Sequence, residues 1–325
     1  MTTTPKPRRR WFQCRLRTLL VLMLLVCIGM SWFALKMRQA IRQREAVNAI
    51  LEGGGMVEQW SRYFAPSSQE SPSSQSQVAL SWPPIYEKES GVHAWLRRFL
   101  GDDFFTHPVS ANVVNDASCE NLDELPRLDN LFLSGNQITD AGLEHARGLT
   151  QLQRLSLLDA QVTDAGLEHL KGLTQLETLV LARTHITDAG IEHLKGMPNL
   201  SQLDLDGTQV TDAGLEHLRE MTQLQSLNLG NTRVTDTGLE HLRGVAELQF
   251  LYLGNTRVTD AGLEHVKRFI QLLALDLSGT QVTDAGLVHL KGLTQLESVR
   301  LDNTLVSRSG KDMLRKALPK CRVEP

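Results

Sequence analysis

A seven-residue motif returns every 24 residues without one insertion, and that spacing confines the chain to folds made by stacking like units. Thr139-Asp140-Ala141-Gly142-Leu143-Glu144-His145 recurs, with small changes, at 163, 187, 211, 235, 259 and 283. Degenerate copies start at Asn115 and Ser307, so nine coils run from about Phe104 to Leu318. Aromatic residues are only 5% of the chain while leucine is abundant, which suits a core made of many identical small contacts.

Between copies the chain alternates. In Leu224-Gln225-Ser226-Leu227-Asn228-Leu229, Leu227 and Leu229 point one way and Ser226 and Asn228 the other, the period of a β-strand. Val234 closes the apolar set. Thr235 or Asp236 can then cap a helix by accepting its free N–H groups, and the aspartate is also favoured by the helix dipole. Leu239 and Leu242 lie three apart on one helical face, and Gly244 is placed to stop the helix. Glu220 and Arg268 replace that glycine in two coils, where looser ends are expected. A strand, a turn and a short helix cannot bury their leucines alone; stacked, they share one core.

The unit LxxLxLxxTxVTDAGLEHLKGL resembles the leucine-rich repeat family across roughly two-thirds of the chain, and its GALA and cysteine-containing subclasses most. Thr184, Thr208, Thr232, Thr256, Thr280 and Thr304 fill the ladder position, and Ala160 breaks it. The resemblance implies an α/β fold: a curved solenoid with parallel strands on the concave face and short helices on the convex face. Relatives of this subclass include substrate adaptors of ubiquitin ligases, but no F-box-like segment is found here. The basic leader and its TLL-rich run also resemble bacterial membrane-anchored repeat proteins.

That leader explains an uneven charge. Residues 1–44 hold ten of the 34 lysines and arginines and no acid, so the remainder carries 24 basic against 37 acidic side chains, or −13. An acidic body argues against nucleic acid as its partner. Thr18–Leu35 is 18 residues without a charge, long enough to span a bilayer as a helix. Basic residues flank it on both sides, with the excess N-terminal, which places the N-terminus in the cytoplasm and the body outside. Trp11 and Trp32 sit where interfacial indoles are expected. A cleaved signal would need a site near Gly29-Met30-Ser31, but the apolar run continues through Trp32 to Leu35. A lipoprotein site at Cys27 is weaker still, since Val26 occupies the place of a small residue.

The expected organisation is therefore a basic N-terminus at 1–17, a signal-anchor at 18–35, a juxtamembrane segment with a linker at 36–86, an N-terminal cap at 87–103 and the repeats at 104–325. Residues 66–77, PSSQESPSSQSQ, offer nothing to bury and read as flexible linker. Trp95, Leu96, Phe99 and Leu100 fall at helical spacing and suit a cap.

Variable positions carry the functional signal, because stacking does not fix them. The residue between the paired leucines runs Phe132, Ser156, Val180, Asp204, Asn228, Tyr252, Asp276, Arg300. Phe250 and Tyr252 therefore emerge together on the concave face, with Asn228 near them and Arg233 and Arg257 at the strand-end edge of neighbouring coils. Exposed aromatics beside arginine have the composition of binding hot spots. Asp204 and Asp206 form an acidic patch one to two coils away. An acidic or aromatic segment of a protein or peptide partner would suit the aromatic–arginine patch.

His145, His169, His193, His217, His241, His265 and His289 also form a column, but repetition makes columns of everything, and no cysteine partners them. Cys14, Cys27, Cys119 and Cys321 show neither zinc spacing nor a disulfide framework. Cys119 replaces a helix leucine and reads as a small buried hydrophobe. The GxxxxGK[ST] and HExxH patterns are absent. No catalytic constellation, metal or cofactor is expected. The leading function is a membrane-anchored interaction module or scaffold. The alternative is a structural envelope or adhesion protein using the solenoid as spacer or self-assembly unit.

Overall fold

The computed structural model describes residues 9–60 and 107–324. The expected linker at 66–77 and cap at 87–103 lie outside the described residues. The chain divides into two compact units, 1–45 with 61–106, and 46–60 with 107–325.

In the first unit the described residues are helical and belong to α1 (Arg9–Glu52). From Thr18 to Leu35 every side chain of α1 is exposed. Among the described residues, this is the one helix long and apolar enough to cross a membrane.

The second unit is an eleven-stranded sheet in sequential order. Its strands are β1 (Met56–Trp60), β2 (His107–Val113), β3 (Asn130–Leu133), β4 (Arg154–Ser156), β5 (Thr178–Val180), β6 (Gln202–Asp204), β7 (Ser226–Asn228), β8 (Phe250–Tyr252), β9 (Ala274–Asp276), β10 (Ser298–Arg300) and β11 (Arg322–Glu324). From β2 onward all pairing is parallel, and in the central strands each residue faces its equivalent 24 positions away, as Leu203 faces Leu227 and Leu227 faces Leu251. This is the α/β leucine-rich repeat solenoid that the sequence predicts.

The alternation works as expected. Leu224, Leu227, Leu229, Val234, Leu239, Leu242 and Val245 are all fully buried, and the same positions around the seven full copies of the motif join one continuous core. The coil helices are shorter than a periodic reading implies. Most are an α-turn of four to seven residues that usually tightens into a 3-10 turn before the glycine position, as in Asp236–His241 followed by Leu242–Gly244, and Gly286–Gly292 is a 3-10 turn throughout. One 24-residue circuit has too little chain for a longer helix as well as a strand and two connections.

The repeated Thr-Asp-Ala-Gly is a clamp between coils. The threonine caps its own helix: Thr235 Oγ1 accepts from the Thr237 N–H. The aspartate reaches the next coil, where Asp236 accepts from the Thr259 N–H at 2.8 Å and from its hydroxyl at 2.6 Å. The same pair of bonds links Asp116 to Thr139 at one end of the array and Asp284 to Ser307 at the other. The glycine two residues after the aspartate lies under the aspartate of the preceding coil. A Cβ on Gly262 would overlap Asp236 Oδ1, so no side chain fits there. A second buried row follows the threonine ladder, in which Thr184, Thr208, Thr232, Thr256 and Thr280 donate to the leucine carbonyl three residues back at 2.6–2.7 Å.

Both ends of the sheet are closed. The C-terminal helix Arg308–Ala317 and β11 cover the last coil, with Leu314, Leu318 and Cys321 buried. At the first coil, β1 pairs antiparallel with β2, Trp60 opposite His107. Ala46, Val47 and Ile50, from the last turns of α1, join the repeat core. Asn115 Nδ2 donates to the Gly53 carbonyl and ties that turn to the first coil. The sequence reading places residues 46–60 in a juxtamembrane segment; in the structure they pack as part of the repeat unit. Only three apolar residues of a short helix end are involved, too few to stand out as a periodic pattern.

Candidate functional site

The structure separates the five candidate binding residues into two neighbouring rows. Phe250, Tyr252 and Asn228 lie on the outer face of the sheet, half-buried between their neighbours. Phe250 sits between Ser226 and Ala274, and Tyr252 between Asn228 and Asp276. Arg233 and Arg257 are exposed on the loops that leave β7 and β8 for the helix side, five residues beyond Asn228 and Tyr252. Their backbone amides are used, Arg233 bonding Val210 and Arg257 bonding Val234. Among the described residues their guanidinium groups have no ion pair. The sequence reading puts these arginines at the strand-end edge, and in the structure they lie on the loops beyond the strands.

The sheet face itself is acidic and aromatic. Asn228 Oδ1 accepts from the Gly230 N–H at 3.0 Å, and Asp204 and Asp276 make the same turn with the amides of Asp206 and Ser278. This fixes the side chains at the strand ends and orients the carboxylates along one row. Burial raises the Asp204 carboxyl above the usual aspartate value. The charge of Asp206 adds to that, while the Asp206 N–H, the Asn228 amide and Arg183 oppose it. Tyr252 is pushed up by its burial and by the charges of Asp276 and Asp204. Both shifts register a site where negative charge is crowded and partly shielded from water.

Two arginines on this side are already committed. Arg300 pairs with Asp276 at 3.1 Å, with Asp302 at 3.4 Å and with Glu324 at 3.6 Å. Arg183 grips Asp159 with two bonds, of 2.6 and 2.8 Å. Except for Arg300–Asp302 these pairs join residues 24 apart, a relation that the column alignment contains and the strand alternation does not show. Beside them runs a row of left-handed residues at the strand ends, in which Asn255 donates to Asn231 and Asn231 donates to Asp206 at 2.7 Å.

The other candidates are inert in this geometry. The histidine column is half-buried on the helix side, with His145 lying 3.9 Å from Asp123. Among the described residues no three His, Cys, Asp or Glu side chains converge as a metal site. Cys119 is fully buried, and burial together with Asp116 pushes its thiol up to about 12, so it is a packing residue and no nucleophile at neutral pH. Cys119 and Cys321 are both free.

Comparison with known proteins follows this picture. Leucine-rich repeat family models match residues 174–234, and residues 131–144 with 272–290. The crystal structure of internalin C2 from Listeria monocytogenes is similar at 27% identity, covering 63% of this chain and 83% of that one with a TM-score of 0.47. A second internalin of Listeria monocytogenes, inlF, is similar at 18% identity, covering 72% and 93% with a TM-score of 0.38. A search of curated proteins finds no match. The repeats match leucine-rich repeat family models in sequence, and the body they build is a leucine-rich repeat solenoid.

Proposed function

We propose that this chain is a membrane-anchored interaction protein, without catalytic activity, that holds a protein or peptide partner on the sheet face of its repeats. Its 24-residue unit is read as the GALA or cysteine-containing type, with the sheet face concave. The observation that carries the reading is a division of labour within each coil. The Thr-Asp-Ala-Gly residues are consumed by stacking. The outward positions of β6 to β9 instead differ from coil to coil and present rings and carboxylates that the repeated clamp does not use. Phe250, Tyr252, Asn228, Arg233 and Arg257 are the contact residues.

The test is recovery of a partner on the detergent-solubilised full chain, followed by affinity measurements with Tyr252→Ala and Arg257→Ala. Loss of a hot-spot side chain costs 2 kcal/mol or more, on the order of thirtyfold in affinity. Unchanged affinity in both folded variants would move the contact to another face.

The anchor reading rests on α1, whose exposed apolar stretch continues without a break into turns that pack in the repeat core. Cleavage near Ser31 would cut inside that helix. The repeats are placed outside the cytoplasm and the N-terminus within it. The full chain should stay with membranes after salt washing, and protease added to spheroplasts should digest the repeats. Full protection of the repeats would reverse the orientation.

A further inference from the structure

We propose that the sheet face from β6 to β8 takes a cationic, arginine-bearing extended segment of the partner, with a guanidinium at Asp204 and Asp206 and the adjoining chain over Tyr252 and Phe250. The proposal rests on the sheet face being the binding surface and names the chemistry of what it binds.

Charge balance decides the sign. The chain beyond residue 44 carries a formal −13. On the sheet side Asp276 has Arg300, and Asp159 has Arg183. Asp204 and Asp206 have no such partner among the described residues. Asp204 accepts from the Asp206 N–H and the Asn228 amide, and Asp206 from the Asn231 amide, all neutral donors. Arg183 tempers both at longer range but is bound in a fork to Asp159. Two half-buried carboxylates, one at the end of β6 and one two residues beyond it, therefore lie close enough to repel, with no ion-pair partner of their own among the described residues. A guanidinium is the side chain best shaped to bridge them, because its planar fork offers several donors and a delocalised charge that is cheap to desolvate. An acidic segment laid here would meet Asp204, Asp206 and the flank of Asp276 at once.

The aromatic pair supports the same class. Tyr252 lies two coils from Asp204, with Asn228 between them. Neighbouring strands are about 4.8 Å apart, so the separation is about 10 Å, which one turn of a polyproline II segment, three residues at about 3.1 Å each, crosses with its first and fourth side chains on the same side. A partner residue three places along would therefore lie over Tyr252 and Phe250. A second cation there is held against the ring faces and an apolar side chain is buried against them, so either extends the contact. The Arg233–Arg257 edge lies off this path and would meet another part of the same partner, an aromatic side chain stacked on the guanidinium.

The experiment uses the full chain in detergent and two fluorescein-labelled nonapeptides, one alternating arginine with alanine, the other glutamate with alanine. Saturable binding of the arginine peptide is expected, and none of the glutamate peptide. Asp204→Asn with Asp206→Asn should weaken binding by about tenfold or more, since it removes both charges from the contact. Asparagine already makes the same turn at Asn228, so the double variant keeps the local fold, checked by an unchanged melting temperature. Tyr252→Ala should weaken binding, and Glu216→Gln on the helix side should not. Equal binding of the arginine peptide to the Asp204/Asp206 variant would mean diffuse attraction to an acidic body and would overturn the proposal. Binding of the glutamate peptide that disappears on Arg233→Ala or Arg257→Ala would overturn the cationic class while sustaining the surface. Failure of both peptides overturns the proposal, and the pull-down with Tyr252→Ala then judges the interaction reading separately.

Discussion

A single aspartate per coil clamps that coil to the next. Asp236 makes two charge-assisted bonds to Thr259, and hydrogen bonds to a charged group contribute about 1.5–3 kcal/mol. Asp236→Ala should therefore lower unfolding free energy by about that amount, read by urea titration. Gly262→Ala should also destabilise, but less in the Asp236→Ala background, where the overlapping carboxylate is gone; additive effects would refute the clamp. Asp204 behaves in the opposite sense. Its carboxyl is raised in the fold, so the folded state holds its proton to higher pH than the unfolded chain does. Stability contributed there declines as pH rises from the unfolded value through the folded one. Asp204→Asn should flatten that part of the pH–stability curve and leave the protein at least as stable at pH 7; a loss of stability at pH 7 would contradict it. The sequence makes Thr235 and Asp236 rival caps for one helix. The structure gives them different tasks, because the aspartate's partner is 23 residues away and belongs to another coil.

At the scale of the strand and its coil, the phase read from the alternation is right. Leu227 and Leu229 are fully buried, and Asn228 between them reaches the outer face. Leu229→Ala should cost about 2–5 kcal/mol, the range for a core leucine left as a cavity. Asn228→Ala should cost about 1 kcal/mol, since its side chain accepts from the Gly230 N–H. Equal losses in denaturant melts would overturn this phase. Period two is legible because it needs only neighbouring residues. The strand-end place of Arg257 is legible from its count past Tyr252, but the path between them is not, because those five residues pass through a turn in which Asn255 is left-handed. A turn of that kind changes the direction of the chain, and side-chain alternation carries no record of it.

For the whole molecule, the 24-residue period was enough to give the fold, since every coil repeats one answer. The ends had to be found by structure, because a cap occurs once and has no copy to confirm it. Residues 46–60 close the first coil, so the chain at 61–106 departs from one strand of the sheet edge and returns to its antiparallel partner. In chain order it therefore lies between β1 and β2. Co-expressed as two chains, 1–73 and 74–325, the protein should reassemble, with the second chain found in the membrane fraction only when the first is present. Ile50→Asp in the first chain should abolish that retention, because it places a charge in the core. Retention that survives Ile50→Asp, or no retention at all, would refute the cap.

The same junction sets an order of events during synthesis. Every parallel strand from β4 to β10 follows its partner by 24 residues, whereas β2 begins 46 residues after β1 ends. At about 10 residues per second, β1 waits about five seconds for β2 to be made. Each later coil closes on an edge already formed, so the array grows in one direction from its N-terminal end. The proposed anchor keeps β1 at the translocation site through that interval, and the first strand of the fold is in place before the repeat that needs it exists.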